Sequence, residues 1–314
     1  MDNELQALYD SVNKAYQTTT NAPNIMQITP DPEIHSKTVE ETSFLSFLRM
    51  KGREESVNTS KVSFLEETPT NAASVIAETG NIPEYAVTSY TEYPETMRTI
   101  ATGFNVSFMA QMGTTAADIL QTEISRGYTL VNNKMDHLLL NGNATSNPLE
   151  FDKVWKDVTA VDNEGDALTE DNIDDLLSTV KNEGGSPDVI VTDSFVAKQL
   201  KKIAAPYRRY NDKVDIGLGF RVITYESLNG RELTILVDEN VPTTTSGSGS
   251  SATTQHTMLA LDSSTIKIKT LLPPSLFDLP SEKLAYSKAV ATFTVAHNLA
   301  PWKSGVISGI GAGE

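Results

Sequence analysis

The chain has 314 residues, with 41 acids against 25 lysines and arginines, a formal charge of −16 and no cysteine. At this length a single compact core gives way to two sub-domains, or to one domain with large extensions. The missing thiols exclude disulfides, cysteine nucleophiles, thiolate zinc sites and iron–sulfur clusters, and so acidic a chain does not grip nucleic acid over its whole surface. Hydrophobic residues are 39% and charged residues 21%, an ordinary globular balance. The longest apolar runs, such as Leu138-Leu139-Leu140, are far too short to span a bilayer. The acidic start lacks a basic and then apolar leader, so no secretory signal is read and assembly in a cytoplasm is expected.

Taken in chain order, residues 3–17 place Leu5, Leu8, Val12 and Tyr16 at helical spacing. Residues 18–41 are rich in Thr, Asn and Pro, with Pro23, Pro30 and Pro32, and show no period. That composition predicts an extended arm lying on something other than its own body. The cluster Phe44, Leu45, Phe47 and Leu48 reads as its anchor. Residues 55–98 alternate: Val62 and Phe64 share one face of a strand, and Tyr85 and Val87 share one face of another. This predicts a long hairpin excursion, which is marginal alone and needs a partner surface.

Ile100, Phe104, Val106 and Phe108 fall on even positions and predict a half-buried strand. A helix is expected over 115–141, with Ala117, Leu120, Ile124, Tyr128, Val131, Met135 and Leu138 stepping by three or four. Thr114 or Thr115 would cap it and Asn141-Gly142 would stop it. Residues 143–255 read as α/β: a helix capped at Thr169, a buried strand at Val189, a second helix from Ser194, and strands near Phe220 and Leu233 joined by a turn at Asn229-Gly230. Residues 243–254 are low complexity. Strands return from Met258, through the alternation of Ile266, Ile268 and Thr270 with Lys267 and Lys269, to Ala289–Val295 and the close at Ile310. Residues 148–257 carry 19 acids and 11 bases, whereas 258–314 carry 4 and 5 and 99–147 carry 3 and 2. The long helix and the last strands are therefore near neutral, and the other parts acidic.

Catalytic and ligand motifs fail on context. Gly309-x-Gly311-x-Gly313 has no following helix, and Gly247-Ser248-Gly249 has no strand–turn–helix around it. The string Asp162–Asp166 does not fit a calcium-loop register, and Asp171, Asp174 and Asp175 suit a helix dipole. No cofactor or metal site is assigned, and no catalytic residue. Tyr207-Arg208-Arg209-Tyr210 can meet carboxylate or phosphate across an interface, or simply neutralise local acid.

The order of parts resembles the Hong Kong 97-type major capsid proteins of tailed bacteriophages and archaeal tailed viruses. The segment Asp136-His-Leu-Leu-Leu-Asn-Gly-Asn-Ala-Thr-Ser-Asn-Pro-Leu is similar to the family's spine-helix end: Gly142, Thr145 and Pro148 match, and Ala144 replaces a frequent glycine. Pro187-Asp-Val-Ile-Val-Thr-Asp-Ser-Phe, Gly217-Leu-Gly-Phe-Arg-Val with Asn240-Val-Pro, and the ending from Ala291 to Ile307 resemble later segments of the same fold. The resemblance implies an α+β fold. Residues 1–50 would be an N-terminal arm and 51–98 an extended loop. A peripheral domain would take 99–147 and 258–314, with the spine helix at 115–141, and an inserted axial domain 148–257.

It further implies a structural subunit, not an enzyme, that self-assembles as hexamers and pentamers into an icosahedral head around double-stranded DNA. Separate scaffolding, portal and decoration proteins are the partners it allows, with no membrane and no sequence-specific DNA contact. A scaffold would be a separate chain. Candidate contacts between subunits are Lys61, Phe64, Tyr85, Arg98, Tyr207, Arg208 and Arg209. The family's prototype cross-links a loop lysine to a neighbour's asparagine. Lys51 and Lys61 are the loop lysines here, nothing marks a partner asparagine, and no cross-link is expected. An encapsulin-like cellular shell and an α/β enzyme or binding protein are the alternatives. The enzyme would need a convergent polar site that the sequence does not display.

Overall fold

The computed structural model describes residues 42–68, 75–76, 78, 89–113, 118–203, 214–215, 221–226, 232–246, 253–281 and 283–311. The helix expected at 3–17, the arm, Tyr85 and Val87, the Tyr207–Tyr210 cluster and the Asn229-Gly230 turn lie outside these residues.

The described chain opens with α1 (Ser43–Met50), β1 (Glu54–Ser56) and a hairpin of β2 (Lys61–Thr68) and β3 (Ser89–Thr96). β4 (Arg98–Ser107) runs into the short α2 (Phe108–Gly113) and the long α3 (Ile119–Asn141). Then come β5 (Thr159–Asp162), α4 (Glu170–Asn182), β6 (Val189–Thr192) and α5 (Ser194–Ile203). β7 (Val214–Asp215), β8 (Arg221–Glu226), β9 (Glu232–Val237) and β10 (Thr244–Ser246) precede β11 (Thr253–Leu261), β12 (Ile266–Asp278), β13 (Ala285–Asn298) and β14 (Gly305–Ile310).

Two sheets carry the body. The first has the order β1-β12-β13-β4, and α3 lies across it. The second has the order β5-β14-β11-β6-β9-β8-β7, with β10 beside β11. Strands from both sides of the inserted segment therefore build the first sheet, as the chain order predicts. The second sheet differs from expectation. It takes β14, and a β11 that spans the anticipated 257/258 boundary, so the C-terminal chain belongs to both layers. The reason is visible in β6: all four of its residues are buried, and a strand covered on both faces needs neighbours on both edges. Ile190 faces the core under α4 and α5 with Met258, Ala260 and Ile307, while Val189 and Val191 face the core shared with α1, α3 and the first sheet.

β4 alternates as read, with Ile100 and Val106 buried and Phe104 half-buried. Phe108 leaves the strand and opens α2. α3 starts at Ile119, and its cap is Asp118 rather than Thr114 or Thr115: Asp118 Oδ1 accepts from Gln121 N at 3.1 Å. That backbone bond, with the Gln111 amide at 2.8 Å, holds the Asp118 carboxyl below its usual range. A carboxylate also complements the positive helix end better than threonine does. The 23-residue helix is a rod of about 35 Å. Leu120 and Ile124 are only half-buried, and full burial begins at Gly127 and Val131. From Leu138 to Leu140 every residue is buried, because α1, the second sheet and a return loop enclose that end.

The return loop satisfies the carbonyls left open at the helix end. Gly142 N donates to Leu138 O at 2.9 Å, Val154 N to Leu139 O at 2.9 Å and Trp155 Nε1 to Leu140 O at 2.7 Å. Gly142 stops the helix, as read, but with φ −60° and ψ 142° it does not use glycine's left-handed freedom. It is needed because a Cβ there would lie 2.2 Å from Phe151 O. Of the closing glycines, Gly309 does use the left-handed region, with φ 72°, whereas Gly311 is a packing case, since a Cβ there would lie 1.9 Å from Gly165 O.

Candidate assembly surfaces

α1 is anchored in the body. Phe44, Leu45, Phe47 and Leu48 are 0%, 0%, 3% and 0% exposed. Burying each such side chain contributes roughly 1.5–3 kcal/mol before entropy is counted. Two carboxylates receive the first N–H groups of this helix. Phe44 N donates to Asp238 Oδ2 at 3.1 Å, and Leu45 N to Asp136 Oδ1 at 2.8 Å. Asp136 comes from α3 and Asp238 follows β9, so the cap joins three parts of the fold. Asn240 closes the network, its N donating to Asp238 Oδ1 at 2.9 Å and its Nδ2 to Asp136 Oδ2 at 2.8 Å. Asp136 is fully buried, and burial together with the charge of Asp238 pushes its carboxyl up to about 7. Further along α1, Arg49 pairs with Glu54 at 2.7 Å and donates to Asn132 Oδ1 at 3.1 Å. Sequence reading missed the acid pair. Its available signal was an aspartate set between Met135 and the leucines of an apolar helix end.

The hairpin pairs Lys61 with Thr96 through Thr68 with Ser89. Its inner face docks on its own body. Phe64 is 2% exposed, its ring centroid lies 5.0 Å from that of His297, and Lys269 Nζ sits 4.4 Å above it. Lys269 also donates to Ser63 O at 3.0 Å. Phe64, expected at a contact between subunits, is therefore a core residue of its own chain: inner and outer strand faces cannot be told apart from alternation alone. Burial also lowers the His297 imidazole. The outer face is bare, with Lys61, Leu65 (61% exposed) and Tyr90 (64% exposed). Arg98 is half-buried at the start of β4, and its buried Nε meets no acceptor among the described residues. The structure thus places Lys61 outward, Phe64 inward and Arg98 between. It does not bring the three into one site, and Tyr85, Tyr207, Arg208 and Arg209 lie outside the described residues.

A polar cleft of about 320 Å³ separates the hairpin base from the body, lined by Glu66, Tyr93, Glu95, Asp152, Lys156 and His297 among others. Burial raises the Glu95 carboxyl, and Lys156 pairs with Asp152 at 2.7 Å. Across the cleft the Tyr93 ring meets that of His297 at 5.5 Å. Among the described residues no cluster of three or more histidine or acid side chains is placed to hold a metal ion, and no helix is long and apolar enough to cross a membrane.

A long spine helix on a four-stranded sheet, an α/β layer inserted between its strands, and a hairpin reaching off the body define a Hong Kong 97-type capsid subunit. Solved structures share this fold. The cyanophage A-1(L) capsid protein matches with a TM-score of 0.68 at 12% identity, over 94% of this chain and 99% of its own. The capsid of the native GTA particle matches with a TM-score of 0.67 at 13% identity, over 95% and 100%. The SrpI encapsulin of Synechococcus elongatus PCC 7942 matches with a TM-score of 0.61 at 12% identity, over 95% and 96%. No curated protein matches the chain significantly. Residues 12–311 match the family model of the SU10 major capsid protein, and the chain belongs to that family. It is a capsid shell subunit and a component of the virion.

Proposed function

We propose that copies of this chain form hexamers and pentamers of an icosahedral head that encloses double-stranded DNA and is built in the host cytoplasm. The observation that carries this reading is the hairpin. Its inner face is fixed to its own body, yet its outer face leaves Leu65 and Tyr90 uncovered on a two-stranded sheet that is marginal alone. A neighbouring copy supplies the missing surface, with Lys61, Tyr85 and the Tyr207–Arg209 cluster among its contacts. Residues 1–50 act as an arm rooted by α1. At roughly 3.3–3.6 Å per residue, the 24 residues read as extended (18–41) can span up to about 80 Å, enough to cross onto another subunit. Residues 51–98 form the extended loop, 99–147 with 258–314 the peripheral domain, which lends β14 and the end of β11 to the second sheet, and 148–257 the axial domain. Many modest contacts of this kind sum to a locked particle.

DNA is confined rather than gripped. A charge of −16 and basic runs no longer than two residues suit a wall along which phosphates slide. The likeness to an encapsulin supports a second reading, a cellular shell around protein cargo. Electron microscopy of particles from the natural source separates the two by their nucleic-acid or protein contents.

Deleting residues 1–41 tests the arm. The truncated chain keeps α1 and the whole described core, so its melting midpoint should match that of the full chain. Closed shells should become at least tenfold scarcer at equal concentration. Normal shells from the truncated chain would refute the overlapping-arm role.

A further inference from the structure

The hairpin joins the rest of the chain at two short links. Residues 57–60 lead into β2, with Val57 N donating to Thr270 O at 3.0 Å. Met97 alone separates β3 from β4, and its N donates to Ser60 O at 3.0 Å. Beyond these links the hairpin closes on one side chain of the body. Phe64 and Tyr93 are cross-strand partners, so their rings stand together on its inner face. Both meet His297, with ring centroids 5.0 Å and 5.5 Å away and interplanar angles of 29° and 32°. His297 is half-buried on β13, a strand bonded along both edges to β12 and β4. Its neighbour Asn298 is fixed to Val154 O at 3.0 Å. The imidazole is thus held firmly, while the two aromatic rings ride on a two-stranded sheet that is marginal alone.

The charges facing this contact come from every element around it. On the hairpin, Glu66 accepts from the Tyr93 hydroxyl at 2.7 Å, and Glu95 attracts Arg98 of β4 at the base. The return loop supplies Asp152, Lys153, Lys156 and Asp157, with Lys156 paired to Asp152 at 2.7 Å. On β12, Lys269 Nζ lies 4.4 Å above the Phe64 ring, and Lys267, opposite His297 in the ladder, pairs with Glu55 at 3.1 Å. Burial is the largest influence on the imidazole and favours its neutral form. Asp152 and Glu66 pull the other way, and Lys156 reinforces burial. A proton on His297 would also set a second cation against Phe64, whose ring already faces the Lys269 ammonium.

The geometry points to a pH-sensitive latch, in which neutral His297 holds the hairpin closed on the body through Phe64 and Tyr93 and protonation of that ring releases it. A free imidazole takes its proton near pH 6.5, and the docked one only at lower pH. Docking is therefore unpenalised above about pH 6.5, weakens as pH falls to the docked value, and stays level below that. Glu95 has the opposite sign: burial raises its carboxyl, so acid favours its docked state. The latch works within one subunit and so stands apart from the capsid reading. In a shell it would set how firmly the bare outer face of each hairpin is presented.

Hydrogen exchange of the full-length chain at pH 5, 6, 7 and 8, corrected for the intrinsic pH dependence of exchange, tests the latch. Protection of residues 61–68 and 89–96 should fall about threefold or more between pH 7 and pH 5. His297→Phe keeps a ring in the stack and cannot charge, so its hairpin should stay protected at all four values. Glu95→Gln should retain the wild-type fall. Wild-type protection that is flat across this range, an equal fall in His297→Phe, or a fall that Glu95→Gln abolishes would each overturn the latch and leave the capsid reading standing.

Discussion

Gly142→Ala is expected to lower the unfolding free energy by about 3 kcal/mol or more, at the upper end of overpacking costs. For a chain of this size that is a fall of roughly 4–5 °C in melting midpoint. The backbone there has φ −60° and ψ 142°, which any residue adopts, so the loss is steric rather than conformational. The added methyl would lie 2.2 Å from Phe151 O and 2.6 Å from Leu138 O. Neither atom can turn aside, since both are backbone, and Leu138 O already accepts from Gly142 N. Relieving the clash means lifting the return loop. That strains Lys153 N to Gly142 O at 2.9 Å, Val154 N to Leu139 O at 2.9 Å and the Trp155 indole to Leu140 O at 2.7 Å. Gly103→Ala is the control, because a Cβ there meets only Lys288 O at 3.8 Å. Thermal and urea unfolding of both variants check this. Equal midpoints would mean that the loop does not seat on the helix end.

This junction also shows what the sequence could reveal. The helix was legible because its apolar stripe persists over six turns, and its stop was legible at Asn141-Gly142. What glycine does there was not, since a close approach by residue 151 is a tertiary fact with no local signature. The same limit explains Phe64. Alternation placed it on one strand face with Val62 but carried no information about which face meets the body. The cap of α3 was missed for a different reason. Thr114 and Thr115 are good caps, yet Asp118, one turn later, bonds both the helix N–H and the Gln111 side chain. The order of parts, which carried the likeness to capsid subunits, survived because it depends on element type and sequence, not on exact ends.

Asp136→Leu is expected to cost about 3–5 kcal/mol, because Leu45 N loses its acceptor, Asn240 Nδ2 keeps only Asn133 Oδ1 of its two acceptors, and Asp238 loses its polar neighbour. Asp136→Asn should be mild and more informative. Its carbonyl can still accept from Leu45 N, its amide mimics the protonated acid facing Asp238, and the Asn240 amide can turn over to match. The folded carboxyl sits at about 7, against an unfolded value of about 3.9. The native state therefore holds a proton that the unfolded chain releases. The stabilisation is complete below about pH 4, is lost as pH rises to about 7, and stays level above that. The difference in stability between wild type and Asp136→Asn should follow this curve and favour the variant at pH 8–9. Urea midpoints at pH 5, 7 and 9 measure it, and parallel profiles for the two proteins would sink the assignment. The group that titrates caps α1. Whatever loosens that cap loosens the seat of α1 on the body, while the hairpin, held through Phe64 and Lys269 on another sheet, stays in place.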